Sequence, residues 1–421
     1  MNILLKNGLL ISPSDNINEI RDIAVIDGKP SLVIPDIKFD KVIDCKEKIV
    51  SPGLIDIHVH FRDPGFEYKE DINSVANAAA KSGVTTIVGM PNVKPAIDNK
   101  TVVNYVLNKG KETVVNVLTT GSATKSNAGE TLAEIGEMKE EGICAVSDDA
   151  YPIQNANIMR RALEYSKNFD LPFMAHCEDK NFTKDAYMNE GYNASMLGLR
   201  PWPREAEEIM ILRNALLAGL TGCHVHIQHL TTKGGVEAVK WAKGQGYPVS
   251  AETCPQYFTL TDDACLGYDT NAKCCPPLRR PEDIEAIVKG IKDNTIDIIA
   301  TDHAPHAIED KEVEFMSAAF GMTGLETALP LCIEELYIKN KVPIEVILRK
   351  YITEPAKLIG SKQDSFATQE LADIIVFDPK AEIVVDKTKF LSKGKNTPFD
   401  GFKLHGEVEL TIAKGKICYE K

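Results

Sequence analysis

The sequence predicts a (β/α)8 barrel of the TIM type, joined to a small β-sandwich domain assembled from both chain ends. Three observations lead there. Through the middle of the 421-residue chain, short continuous apolar runs alternate with amphipathic helical stretches. Both ends have a different, β-rich texture, and histidines gather around the ends of the apolar runs.

The elements follow in chain order. Segment 1–51 holds short β-like runs at 2–5, 22–26 and 41–44, punctuated by Gly8, Gly28 and Pro30. Segment 366–421 returns to that texture, with runs at 372–378 and 408–413. The two segments are expected to form one composite β domain, leaving 52–365 for the barrel. Within that middle, apolar runs fall at 54–58, 84–88, 114–119, 144–146, 172–175, 224–227, 248–251 and 296–300. Amphipathic stretches separate them, at 71–81, 131–141, 157–166, 204–217 and 235–243. Strands without polar alternation are buried on both faces, as in a parallel sheet covered by helices. Eight such runs favour a closed barrel over an open sheet, with chemistry expected where the strands end.

Composition narrows the function classes. The chain is 43% hydrophobic, as an ordinary globular protein is, and its net charge of −13 comes without a basic stripe to neutralise phosphates. Nucleic acid is disfavoured as a partner. The start, Met1 to Lys6, lacks the order of a secretory signal, and no apolar run reaches membrane-spanning length. A cytoplasmic protein is expected. Ten scattered cysteines lack structural-zinc spacing, and the adjacent Cys274 and Cys275 cannot easily bridge each other, so reduced thiols are expected.

Eight of nine histidines fall in short clusters at predicted strands. His58 and His60 are two apart and can bind one cation from one strand face. Asp148 and Asp149 follow an apolar run, and alternation lets only one of them face inward; helix capping is the competing job. His176 follows the next run, with Cys177 more suited to packing. In the group His224, His226 and His229, the last two cannot share a strand face, so one is a ligand candidate and the other structural. Asp302, in Thr301-Asp302-His303-Ala304-Pro305-His306, can bind a cation and accept a proton from its water. Any one cluster has a bland explanation, but five on different strands of one barrel point to a metal site.

These motifs resemble the dihydroorotases of the amidohydrolase superfamily, in particular the bacterial type I group. The resemblance rests on Ser51-Pro52-Gly53-Leu54-Ile55-Asp56 running into His58-Val59-His60-Phe61-Arg62-Asp63-Pro64-Gly65, on Gly89-Met90-Pro91-Asn92, on 300–306, and on Ala319-Phe320-Gly321-Met322-Thr323-Gly324-Leu325-Glu326. It implies that His58, His60 and Asp302 hold one Zn2+, that His176 and His229 hold a second, and that Asp149 bridges them. Many relatives bridge with a carboxylated lysine, which run 144–146 lacks; this separates the chain from hydantoinases and allantoinases. The resemblance also implies that Arg62, Asn92 and His306 grip a substrate carboxylate, a task suited to a guanidinium two residues beyond a metal ligand. Phe320 and Gly321 would line the substrate ring through their backbones. One departure stands out: Cys275 occupies the place of the family's substrate-binding asparagine ahead of Pro276-Pro277-Leu278-Arg279, and a thiol is a weak substitute partner.

The implied activity is reversible cyclisation of N-carbamoyl-L-aspartate to L-dihydroorotate in pyrimidine (UMP) biosynthesis, by a homodimer that can associate with aspartate transcarbamoylase. Three rivals share parts of this pattern. An allantoinase or hydantoinase would prefer a neutral ring, a non-catalytic partner of aspartate transcarbamoylase would have lost ligands, and a plain binding barrel would hold no stoichiometric metal.

Overall fold

The computed structural model describes residues 1–421. Eight strands form one parallel sheet in sequential order: Leu54–Val59, Val84–Gly89, Asn116–Ser122, Ala145–Ser147, Phe173–Ala175, Val225–Ile227, Val249–Thr253 and Ile298–Ile299. The sheet closes on itself. Val59 bridges His303 in parallel, and the His60 N–H donates to the His303 carbonyl at 2.9 Å. Every residue of the first two strands is buried, which explains why they read as unbroken apolar runs.

The helices between strands start where short polar side chains can satisfy free N–H groups. Asp71 and Ser74 cap Ile72–Lys81 reciprocally, Asn99 caps Lys100–Lys111, Asn155 caps Ala156–Lys167, and Thr232 caps Lys233–Gly244. Gly142, left-handed, ends Ile135–Glu141, and that helix begins four residues later than the stretch expected from 131. Helices and outer strand faces share a core of 86 buried residues. A separate nine-residue cluster joins Ile55, Ile57, Val88, Met90, Ala145, Met174, Ile298 and Ala300 from five barrel strands, with Ala356.

Both chain ends build one six-stranded sheet, in which Ile374–Val384 pairs antiparallel with Ile49–Pro52 and with Lys403–Ala413. A four-stranded sheet from the N-terminal segment packs beside it through a 13-residue core. Ile49–Pro52 runs one residue beyond the expected boundary at 51. All ten cysteines are free, seven of them buried, and no helix is long and apolar enough to cross a membrane.

Candidate metal centre and active site

The first barrel strand places two imidazoles through an irregularity. Its pairing with the second strand shifts register between Asp56 and Val59. Below the shift Ile57 belongs to the barrel interior, and above it His58 and His60 turn toward the same centre. Asp56 faces the other way, accepting from the Thr301 N–H at 3.2 Å and the Thr301 hydroxyl at 2.6 Å, and so ties the first strand to the last.

Asp302 Oδ1 lies 3.0 Å from His60 Nε2 and 3.5 Å from His58 Nε2. Asp149 sits between two pairs of histidines. Its Oδ1 is 3.7 Å from His58 Nε2, 3.1 Å from His176 Nδ1 and 3.6 Å from His229 Nε2, while Oδ2 is 3.6 Å from His60 Nε2. His58, His60 and Asp149 form one three-donor group, and Asp149, His176 and His229 another. The structure thus brings together all six residues expected to ligate metal. Asp148 turns away, accepting from the N–H groups of His176 and Ile153.

The donor set fits a divalent cation on three counts. His58 Nε2 and Asp149 Oδ2 are buried without a hydrogen-bond partner, although both face the centre. Three of the four imidazoles have an acceptor at their rear nitrogen: Glu252 at 2.5 Å from His58 Nδ1, the Asn92 carbonyl oxygen at 2.9 Å from His60 Nδ1, and Glu178 at 3.0 Å from His176 Nε2. Such partners fix the tautomer that leaves the front nitrogen's lone pair free for a metal. The field also favours positive charge. Burial opposes protonation of His58, yet Glu252, Asp302 and Asp149 outweigh it and hold the group well above its ordinary pKa. Burial likewise opposes the charge on Asp149, but His176, His229 and His58 keep it well below the usual carboxylate range.

Three residues of the site carry backbone strain. His229, Asp302 and Arg62 adopt φ of 33°, 49° and 59°, a region that residues with a Cβ seldom occupy. Asp302 caps no helix, so its carboxylate is left to the centre.

The expected substrate residues line the same mouth. Arg62 donates from Nε to the Pro305 carbonyl at 3.2 Å, and its Nη2 lies 3.3 Å from His306 Nε2. No carboxylate lies within salt-bridge distance of this guanidinium, whereas Asp302 and Asp149 act on it only at longer range. His306 Nε2 is 2.9 Å from the Phe320 carbonyl. Asn92 presents its carbonyl to His60, which leaves its amide N–H groups for a ligand. Gly321, at φ 129°, packs so closely that a Cβ would stand 2.8 Å from that of Ala304. Cys275 packs with Phe320 on a small cluster around Trp202, its Sγ 3.9 Å from His176 Nε2.

Three histidines depart from the expectation that the clusters sit at strand ends facing the site. His224 precedes its strand and meets Ser250 near the opposite mouth, because parallel strands carry their first residues to the barrel floor. His226, two residues on, is buried inside the barrel between Ser250 and Glu252. His303 is turned outward onto the N–H groups of Gly324 and Leu325. Sequence reasoning missed Glu252 and Glu178. A lone carboxylate inside an apolar strand was the available signal for Glu252, since burial of an unpaired charge is costly.

A family model described as "Dihydro-orotase-like" matches residues 47–235. A protein named dihydroorotase from Acetivibrio thermocellus is 46% identical over 418 residues, covering 99% of this chain and 98% of its own. One of the same name from Endomicrobium trichonymphae is 47% identical over 423 residues and covers both chains fully. This chain belongs to the dihydroorotase family. Among solved structures, the L-hydantoinase (dihydropyrimidinase) of Arthrobacter aurescens superposes with a TM-score of 0.87 at 26% identity, covering 100% of this chain and 96% of that one. The chain is therefore a cyclic amidohydrolase enzyme with the barrel and accessory β domain of that superfamily.

Proposed function

We propose that this member of the family catalyses the reversible interconversion of N-carbamoyl-L-aspartate and L-dihydroorotate, with His58, His60, Asp302, His176, His229 and Asp149 as the metal ligands and Asp149 shared. The observation that carries the substrate choice is Arg62, a partly buried guanidinium at the mouth with no carboxylate partner of its own. A ring bearing a carboxylate supplies that partner; a neutral hydantoin does not.

Bound Zn2+ would supply a nucleophile at neutral pH and polarise the scissile carbonyl. The chain's own residues do the rest. Arg62, the Asn92 amide and His306 hold the substrate carboxylate, and the Phe320–Gly321 backbone, kept close by the absence of a Cβ, limits the ring's position. Asp302, 3.0 Å from His60 at the centre, takes a proton from the attacking water and delivers it to the leaving ring nitrogen. In the reverse direction it protonates the departing hydroxyl as the ring closes. Cys275 fills the asparagine position beside Phe320 and adds apolar contact in place of a hydrogen bond.

We place the domain boundaries at 51/52 and 365/366, with the composite β domain outside the chemistry. The family resemblance also supports a cytoplasmic homodimer, with aspartate transcarbamoylase as a candidate partner. The deciding experiment is a zinc analysis of the purified protein joined to an assay of dihydroorotate hydrolysis before and after chelation. One or two zinc equivalents with chelator-sensitive turnover is the expected result. Bound zinc with turnover of hydantoin alone would shift the substrate assignment, and absence of zinc would overturn the ligand set.

A further inference from the structure

Behind the metal centre a column of polar side chains runs through the barrel interior, where apolar residues normally fill the layers. His226 pairs in register with Ser250 on the adjacent parallel strand, so His224, His226, Ser250 and Glu252 rise along two neighbouring strands on one face. His224 Nε2 lies 2.7 Å from Ser250 Oγ, and Ser250 Oγ lies 2.8 Å from His226 Nδ1. His226 Nε2 lies 3.0 Å from Glu252 Oε2, and Glu252 Oε1 faces His58 Nδ1. The same Oε1 accepts the backbone N–H of His229 at 3.3 Å. All but His224 are fully or almost fully buried.

The hydrogen-bond directions follow from the carboxylate. An ionised carboxylate only accepts, so His226 donates from Nε2–H and His58 from Nδ1–H. Ser250 Oγ stands between His226 Nδ1 and His224 Nε2, a hydroxyl that can donate to one ring and accept from the other. In the neutral form that ligates a metal, with its one proton on Nδ1, His58 presents the Nε2 lone pair to the centre, and that is the buried nitrogen without a partner.

We propose that Glu252 and His226 are positioning residues of the metal centre: Glu252 fixes His58 and the His229 backbone, one residue from each three-donor group, and His226 holds Glu252 in place. Neither touches substrate. The inference rests on reading His58 as a ligand. It deepens that reading by giving a role to His226, a buried histidine that the reaction leaves unused. A carboxylate with two imidazole partners and a backbone donor cannot rotate without breaking several bonds at once, so the ligand geometry is set before metal arrives.

The experiment measures zinc release into a chromogenic chelator from zinc-loaded, full-length protein, with thermal unfolding recorded in parallel. His226→Gln and His226→Asn carry the same amide, but only glutamine is long enough to place its N–H where Nε2–H stands. His226→Asn should release zinc about tenfold faster or more, and His226→Gln should stay near wild type. If both variants release zinc as wild type does and only the unfolding temperature falls, the column is structural packing and the proposal is overturned. Should His226→Asn fail to fold, Glu252→Gln decides, since it keeps the shape and removes the charge: faster release supports the proposal and wild-type release overturns it. Wild-type protein that takes up no zinc would instead overturn the reading of His58, and this inference with it.

Discussion

The two mouths of the barrel are built from the same strands and differ in how their polar groups are satisfied. At the floor, a cavity of about 610 Å³ opens among Lys243, Asp297, His224 and Ser250, larger than two others of about 420 and 370 Å³. There Lys243 Nζ meets both Asp297 oxygens at 2.6 Å, and Asp297 also accepts the Ala251 N–H. At the other mouth, two buried polar atoms have no partner, three residues sit at positive φ, and an arginine lacks a carboxylate. Volume alone points to the wrong end. Unsatisfied polarity marks the end where binding energy is held in reserve.

Substitutions can sharpen or break that contrast. Asp302→Ala should cost the most, lowering kcat for dihydroorotate by about a thousandfold as a lost general base does. Zinc content measured on the same sample separates loss of the proton acceptor from loss of metal. Normal turnover by that variant would disprove the proton shuttle. Arg62→Lys should keep the charge but lose the planar fork, raising KM for dihydroorotate about ten- to a hundredfold; an unchanged KM would remove the argument for a carboxylated substrate. Asp297→Asn, at the floor, should leave kcat, KM and zinc content as in wild type while costing about 1 kcal/mol of stability in denaturant titration. A changed kcat there would mean that the two mouths are coupled and the contrast is too sharply drawn.

The mismatch between expectation and structure is clearest along one strand. Residues 224–229 read as a histidine cluster at a strand end, but a barrel strand has two ends. His224 stands at the floor, His226 inside, and His229 at the site, where its φ of 33° turns it inward after the strand has stopped. Alternation correctly split His226 from His229 and could not choose between them. The choice follows from what each one meets, which is Glu252 on the neighbouring strand for His226 and Asp149 for His229. Asp148 and Asp149 show the same limit: the parity argument said one must turn away, and contacts from the neighbouring strand determined which.

The sequence by itself determined the periodicity of eight apolar strands and the helices between them. It also determined the return of β texture at the chain's end and the inventory of imidazoles and carboxylates. These are properties of neighbouring residues, and local pattern encodes them. Tertiary structure alone decided the register shift that turns His58 and His60 inward, and the antiparallel pairing that joins Ile49–Pro52 to Ile374–Val384 across the whole barrel. It alone gathered the polar column behind His58. Each of these depends on groups far apart in the chain, whose approach is set by barrel closure and by the need of every buried polar group for a partner.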